Sequence, residues 1–189
     1  YGLFAYDELE ELTNNELEKI KVEIEELPKI HKVNVQIKII DKPIWFLSIR
    51  DTVTQNGMNN IHGKSYEKIN NYIDSINIEK IMSPITIYHS WSDTVIDVEI
   101  GIPISKEIVI FEDEIKLSNI DAGTYVSATH YGSYDRLPET YFGINEWMRK
   151  NKVIVIGAPW EMYITDPAKE LNSKKWETTI NFPIEKIKE

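Results

Sequence analysis

The sequence of 189 residues contains no cysteine, which excludes disulfide staples and thiol chemistry. Histidine is scarce, at positions 31, 62, 89 and 130 only, and none of the four stands in an HxxxH or HxxEH spacing. No metal is expected on that pattern, and no other cofactor. No apolar run approaches the roughly 20 residues of a membrane-spanning helix, so no membrane partner is expected. No glycine-rich phosphate loop is present, and Ser127 and Ser133 lack the G-x-S-x-G setting of a serine hydrolase. Positive charge is in deficit, with 21 Lys and Arg against 31 Asp and Glu, a net charge of −10. That balance disfavours direct contact with nucleic acid and suits the attraction of cationic small molecules. The start, Tyr1-Gly2-Leu3-Phe4 followed by acids, carries no secretory signal. With these absences a cytoplasmic protein is expected. The chain begins without Met, which predicts a piece of something longer.

What is present centres on Gly157 to Asp166, G-A-P-W-E-M-Y-I-T-D. The segment reads as a strand with Trp160, Met162 and Ile164 on one face and Glu161, Tyr163 and Thr165 on the other. A carboxylate among aromatics needs an explanation, because a buried charge costs several kcal/mol unless it is paired (about that much even after relaxation). Two readings stand open. Glu161 sits on a wet face or pairs with a Lys or Arg, or it waits for a cationic or polar ligand held between rings.

An internal repeat bears on the choice. I-M-S-P-I-T-I-Y-H-S (81–90) overlays I-G-A-P-W-E-M-Y-I-T (156–165), with Pro84 on Pro159 and Tyr88 on Tyr163 at one offset, 159 − 84 = 75. The same offset puts Tyr66, Ile69 and Asn70 on Tyr141, Ile144 and Asn145, while V-E-I-G-I-P-I (98–104) overlays T-T-I-N-F-P-I (178–184) at 80. Two copies of one unit are predicted, about 30–111 and 112–187, within a domain spanning 30–189. Thr86 takes in the first copy the place of Glu161 in the second. A carboxylate in one of two equivalent positions is hard to explain as a folding requirement.

Local patterns supply the elements. Residues 1–29 form an N-terminal segment with a linker helix, capped by Thr13 with Glu16 three residues on, seamed by Leu17, Ile20, Ile24 and Leu27 and stopped by Pro28. Val33, Val35, Ile37 and Ile39 alternate as the inward face of a strand. A second strand is expected over 44–50, a loop over 51–63 with Asn56-Gly57 and Asn59-Asn60, and a helix over 65–76. Strands over 85–89 and 94–104 and a linking strand over 107–111 complete the first copy. The second copy gives strands near 114–120 and 124–130 and a helix over 137–150, with Pro138 in its first turn. The central strand, a loop over 166–174 and a closing strand over 176–184 follow. Tyr66, Tyr141 and Trp147, at helical spacing, read as core. His130 reads as a structurally satisfied strand histidine rather than an acid or base.

Taken in order, Ala122-Gly123-Thr124-Tyr125, His130-Tyr131-Gly132-Ser133-Tyr134, Trp147, Gly157 to Tyr163, Asp166-Pro167 and Phe182-Pro183 resemble the pattern of GyrI-like small-molecule-binding domains. The same domain is the effector-binding module of multidrug-sensing activators of the MerR and AraC types. The resemblance covers about residues 30–185 and is stronger in the second copy. It implies an α+β fold: two pseudo-symmetric strand-helix-strand-strand units in one curved antiparallel sheet, helices on the convex face, the ligand in the concave groove between the copies. It implies a small-molecule ligand, lipophilic or cationic, and Glu161 as its carboxylate. Tyr163, Tyr88, Tyr125 and Tyr134 are the implied groove tyrosines, with Trp160 and Trp91 as further candidates. No helix-turn-helix or basic region is present, so a covalently linked DNA-binding or helix-grip domain is expected outside this chain. Two alternatives attach to the same resemblance. One branch resembles hydrolases of electrophilic cyclopropane-bearing toxins, with Glu161 and Tyr163 or Tyr134 activating water. Another resembles a protein-binding inhibitor with no ligand.

Overall fold

The computed structural model describes residues 33–185. The expected helix over 14–27 lies outside the described residues. Eight strands form one antiparallel sheet: β1 (Gln36–Ile40), β2 (Ile44–Val53), β3 (Ile85–Trp91), β4 (Ile96–Pro103), β5 (Lys116–Ile120), β6 (Gly123–Tyr131), β7 (Trp160–Tyr163) and β8 (Glu177–Ile184). Two helices accompany them, α1 (Met58–Ile76) and α2 (Leu137–Lys150). The strand order is β1-β6-β8-β7-β3-β4-β2-β5. It reads alike outward from the central β3–β7 pair, as the two-unit reading requires. The first strand of each unit, however, crosses over. β1 pairs with β6 of the second unit, and β5 pairs with β2 of the first. The units of sequence are therefore not the halves of the sheet.

Side-chain alternation divides the sheet's contacts between two faces. On one face, Ile69 and Ile73 of α1 pack with Leu47, Ile102, Ile104 and Ile115. Ile144 and Met148 of α2 pack with Val126, Ala128, Ile180, Phe182 and Ile184. On the other face, Phe46, Ile85, Ile120, Tyr125 and Trp160 form one cluster. Ile120 and Tyr125 come from strands near opposite edges, so the sheet is curled around this cluster, and the helices lie on its convex side. Gly101 on β4 makes room for it: a Cβ there would stand 2.4 Å from Phe46 Cδ2.

Three local expectations are corrected. Asn59 and Asn60 belong to α1, which begins at Met58 after a short turn at Gln55–Gly57, so the expected loop over 51–63 is mostly strand end and helix. The residues from 107 to 111 pair with no strand. Ile37 and Ile39 are 43% and 72% exposed rather than inward, because β1 is an edge strand that extends beyond α2's cover. Helix α2 spans the expected residues, with acidic Glu139 in its first turn and Arg149 and Lys150 in its last, as the helix dipole favours.

Candidate functional site

β3 and β7 meet at the junction of the two units, and their register sets Thr86 opposite Glu161. Both side chains point to the convex face, between α1 and α2. Glu161 is 3% exposed. Its partners are three phenols. Tyr163 Oη donates to Oε2 at 2.7 Å, Tyr141 Oη to Oε1 at 2.9 Å, and Tyr88 Oη to Oε2 at 3.3 Å. Tyr88 and Tyr163, equivalent in the two units, also touch through their hydroxyls at 3.3 Å.

Burial pushes the Glu161 carboxyl above its ordinary value, and the three phenol bonds pull it only partly back. Burial, and then the charge of Glu161, holds Tyr88, Tyr141 and Tyr163 protonated well above the usual phenol range. Tyr134 is pushed up to about 12, first by burial and then by Glu161 and Asp166. The tyrosines are thus fixed donors, and their bonds do not fully offset the cost of charging Glu161 in the interior.

An aromatic wall surrounds the carboxylate. Tyr134 stands edge-on to Tyr163 with centroids 5.7 Å apart and lies against Trp176 at 4.9 Å. Trp91, at the end of β3, lies 5.7 Å from Tyr88 and is 60% exposed. From α1, His62 meets Tyr163 edge-on at 5.8 Å and Tyr66 at 5.8 Å. Its Nδ1 faces the Met58 carbonyl at 2.9 Å, so Nδ1 carries the proton. Nε2 then accepts from Thr86 Oγ1 at 2.9 Å. Burial lowers the His62 pKa, which favours the neutral ring.

Of the residues expected to line one groove, the structure brings together Glu161, Tyr163, Tyr88, Tyr134 and Trp91. Tyr125 and Trp160 are corrected. They sit on the concave face, ring against ring at 6.2 Å, with Tyr125 Oη bonded to the Asp121 carbonyl at 2.8 Å. The expected concave position of the groove falls with them, since the Phe46 cluster fills that face around its centre. Tyr141 was read as core and is a Glu161 partner. Tyr66, which reads likewise, borders the site through His62 and through a hydrogen bond with Thr86. The signal for both lay in their match at the offset of 75: a buried phenol needs a polar partner that a leucine would not. His62, Trp176 and Thr86 as a His62 partner had no sequence signal. His130 is satisfied as expected, accepting from Thr140 Oγ1 at 2.8 Å and donating to the Ser133 carbonyl at 3.0 Å.

A second buried carboxylate shows what compensation looks like. Glu99, on the concave face, accepts from Ser48 Oγ at 2.7 Å, Ser118 Oγ at 2.5 Å and His89 Nε2 at 2.9 Å. Burial raises it, but Ser118, Ser48 and His89 together hold it below its ordinary value. Glu161 lacks such a balance. Among the described residues, no group of His, Asp and Glu could hold a metal ion, and no helix is long and apolar enough to cross a membrane.

The family model of the GyrI-like small molecule binding domain matches residues 35–185. The chain belongs to this family. No curated protein matches it. Among solved structures, this GyrI-like chain resembles the EcmrR C-terminal domain, with a TM-score of 0.67 at 24% identity over 83% of this chain and 100% of that one. EcmrR in its complex with DNA gives 0.72 at 21% identity, over 97% of this chain and 68% of that one. SAV2435 bound to tetraphenylphosphonium gives 0.60 at 11% identity, over 80% and 94%. A hydrolase from Listeria innocua gives 0.57 at 14% identity, over 88% and 98%. At these identities the likeness is one of fold.

Proposed function

We propose that this GyrI-like domain is the ligand-sensing module of a transcription regulator, taking lipophilic cations of varied shape between α1 and α2. The observation that carries the reading is Glu161: a carboxylate 3% exposed, raised by burial, and bonded to phenols rather than to a cation. A cation docked there gains a charge partner in a site of low dielectric and aromatic faces from Tyr163, Tyr134, Tyr88 and Trp91. A desolvated cation–π contact contributes about 2 kcal/mol, and a hydrogen bond to the charged group about 1.5–3 kcal/mol. Such gains, after the entropy of docking, suit micromolar affinity and broad selectivity. A DNA-binding domain, in this reading, belongs to a separate part of the full-length protein, and the regulator works in the cytoplasm.

Calorimetry with tetraphenylphosphonium on the wild type and on Glu161→Gln tests the proposal. Binding in the wild type and a loss of about tenfold or more in the variant is expected, the scale of one charge-assisted contact. Equal affinity in both would remove Glu161 from its central place. A second reading, hydrolysis of a strained electrophile, has one observation in its favour: the Glu161 carboxyl has a raised pKa, as a base for water needs, and is held in place by the Tyr163 phenol. Turnover lost in Glu161→Ala would support it.

A further inference from the structure

Glu161 is flanked on both neighbouring strands by threonines of the same face. Thr86 is its register partner on β3, and Thr178 on β8 stands opposite Tyr163, one diagonal step from Glu161. Directly opposed side chains lie roughly 4.5–5.5 Å apart at Cβ and diagonal ones roughly 7–8 Å. Both threonines are 0% exposed. Thr178 Oγ1 has no hydrogen-bond partner among the described residues. An unpartnered hydroxyl in the interior costs stability that a valine of the same shape would not. In register it lies between Tyr163 on β7 and His130 on β6.

The other flank is built too. Since His62 gives its Nδ1 proton to Met58, its Nε2 takes the proton of Thr86 Oγ1. The Tyr66 phenol also hydrogen-bonds Thr86, which leaves the threonine oxygen one lone pair to offer. This arrangement exists in one unit alone: at the offset of 75, His62 falls on Leu137 (137 − 62 = 75) and Thr86 on Glu161. Leucine serves at the equivalent helix position, so the fold does not call for histidine there. Across the three strands the register row is Thr86, Glu161 and Ile180, so two acceptors stand side by side and the free hydroxyl of Thr178 lies one diagonal step away.

We infer that the site around Glu161 selects cations whose charge is carried on N–H groups, primary ammonium or amidinium ions, over permanently quaternary ions of the same bulk, with Thr86 and Thr178 as the discriminating contacts and His62 as the residue that positions Thr86. This rests on the binding function proposed above and narrows its ligand class. A quaternary ion meets the charge of Glu161 and the rings but leaves Thr178 unpartnered. An ion with several N–H groups reaches Glu161 and a threonine at once. A site built to hydrogen-bond its ligand discriminates strongly against the analogue that cannot.

Calorimetry near neutral pH with biphenylmethylammonium and its N-trimethylated analogue tests this on the wild type, Thr86→Val, Thr178→Val and His62→Leu. The wild type is expected to prefer the N–H ion by about tenfold, the scale of one added hydrogen bond to a charged group. The two valine variants should lose most of that preference while holding the trimethylated ion to within about twofold, and His62→Leu should follow Thr86→Val. Without ligand, Thr178→Val should melt at a higher temperature than the wild type. Equal affinity of the wild type for both ions overturns the inference, as does a parallel loss of both ions in the variants. If neither ion binds, the proposed function falls. The melting of Thr178→Val then still decides the state of the hydroxyl, and an unchanged or lower temperature overturns the inference by itself.

Discussion

Replacing Glu161 by Gln removes one charge from a position 3% exposed and changes the side chain's size very little. Burying a carboxylate costs several kcal/mol even after relaxation. Three phenol bonds of 2.7, 2.9 and 3.3 Å offset it, at about 1.5–3 kcal/mol for a good bond to a charged group. Folding raises the pKa above the ordinary value of 4.5, with burial the largest cause, so the offset is incomplete. The sign follows. A group whose pKa is raised by folding stabilises the folded state when protonated. That contribution is full below about pH 4.5, the unfolded value, and is lost as the pH climbs through the raised folded value. Each unit of elevation corresponds to about 1.4 kcal/mol. Glutamine does not titrate, so Glu161→Gln should exceed the wild type in stability at neutral pH, and the gap should close toward about pH 4.5. For a domain of this size each kcal/mol appears as about 2–4 °C in Tm. Urea titrations at a series of pH values read the difference directly. A variant less stable than the wild type at every pH would refute the reasoning, for the phenols would then more than repay the burial of the charge.

Other consequences can be checked in parallel. Tyr141→Phe takes the donor from Oε1 and should lower stability at neutral pH by about 1–3 kcal/mol, with partial recovery on acidification as Glu161 takes up a proton. Gly101→Ala places a Cβ 2.4 Å from the Phe46 ring and should cost about 1–3 kcal/mol in urea unfolding. Tyr125→Phe, on the concave face, loses its bond to Asp121, a cost of about 0.5–1.5 kcal/mol, and should leave ligand affinity unchanged by calorimetry. Trp91→Ala, at a position 60% exposed, should change stability by less than about 0.5 kcal/mol and weaken binding of an aromatic cation.

The elements were legible where a strong period met clear punctuation. Helix α2 is marked by Pro138 at its start and an apolar stripe through Ile144 and Met148. Helix α1 was half hidden, because Asn59 and Asn60 read as a loop, and residues of turn chemistry sit in its first turn where no pattern distinguishes them. Glu161 was legible as an oddity: a carboxylate in an aromatic strand, matched by Thr86 in the repeat. Alternation also held Trp160 on the face away from Glu161, and the structure keeps that separation. Tyr125 was misplaced because a motif says which residues travel together, not which side of a sheet each one faces.

The sequence by itself determined the alternation of Glu161 and Tyr163 against Trp160 and Met162, the doubling of the unit, and the absence of thiols. These are local or periodic properties, set by backbone geometry and side-chain type. Tertiary structure alone decided which face carries the buried carboxylate and its phenols. It exchanged β1 and β5 between the units, curled the sheet around Phe46, Tyr125 and Trp160, and so filled the centre of the concave side with apolar packing. It also brought Tyr141 to Glu161, His62 to Thr86 and Thr178 beside Tyr163, from elements far apart in the chain. Pairing between distant strands and the angle of a helix on a sheet are set by the joint packing of many side chains, and no single stretch carries that information.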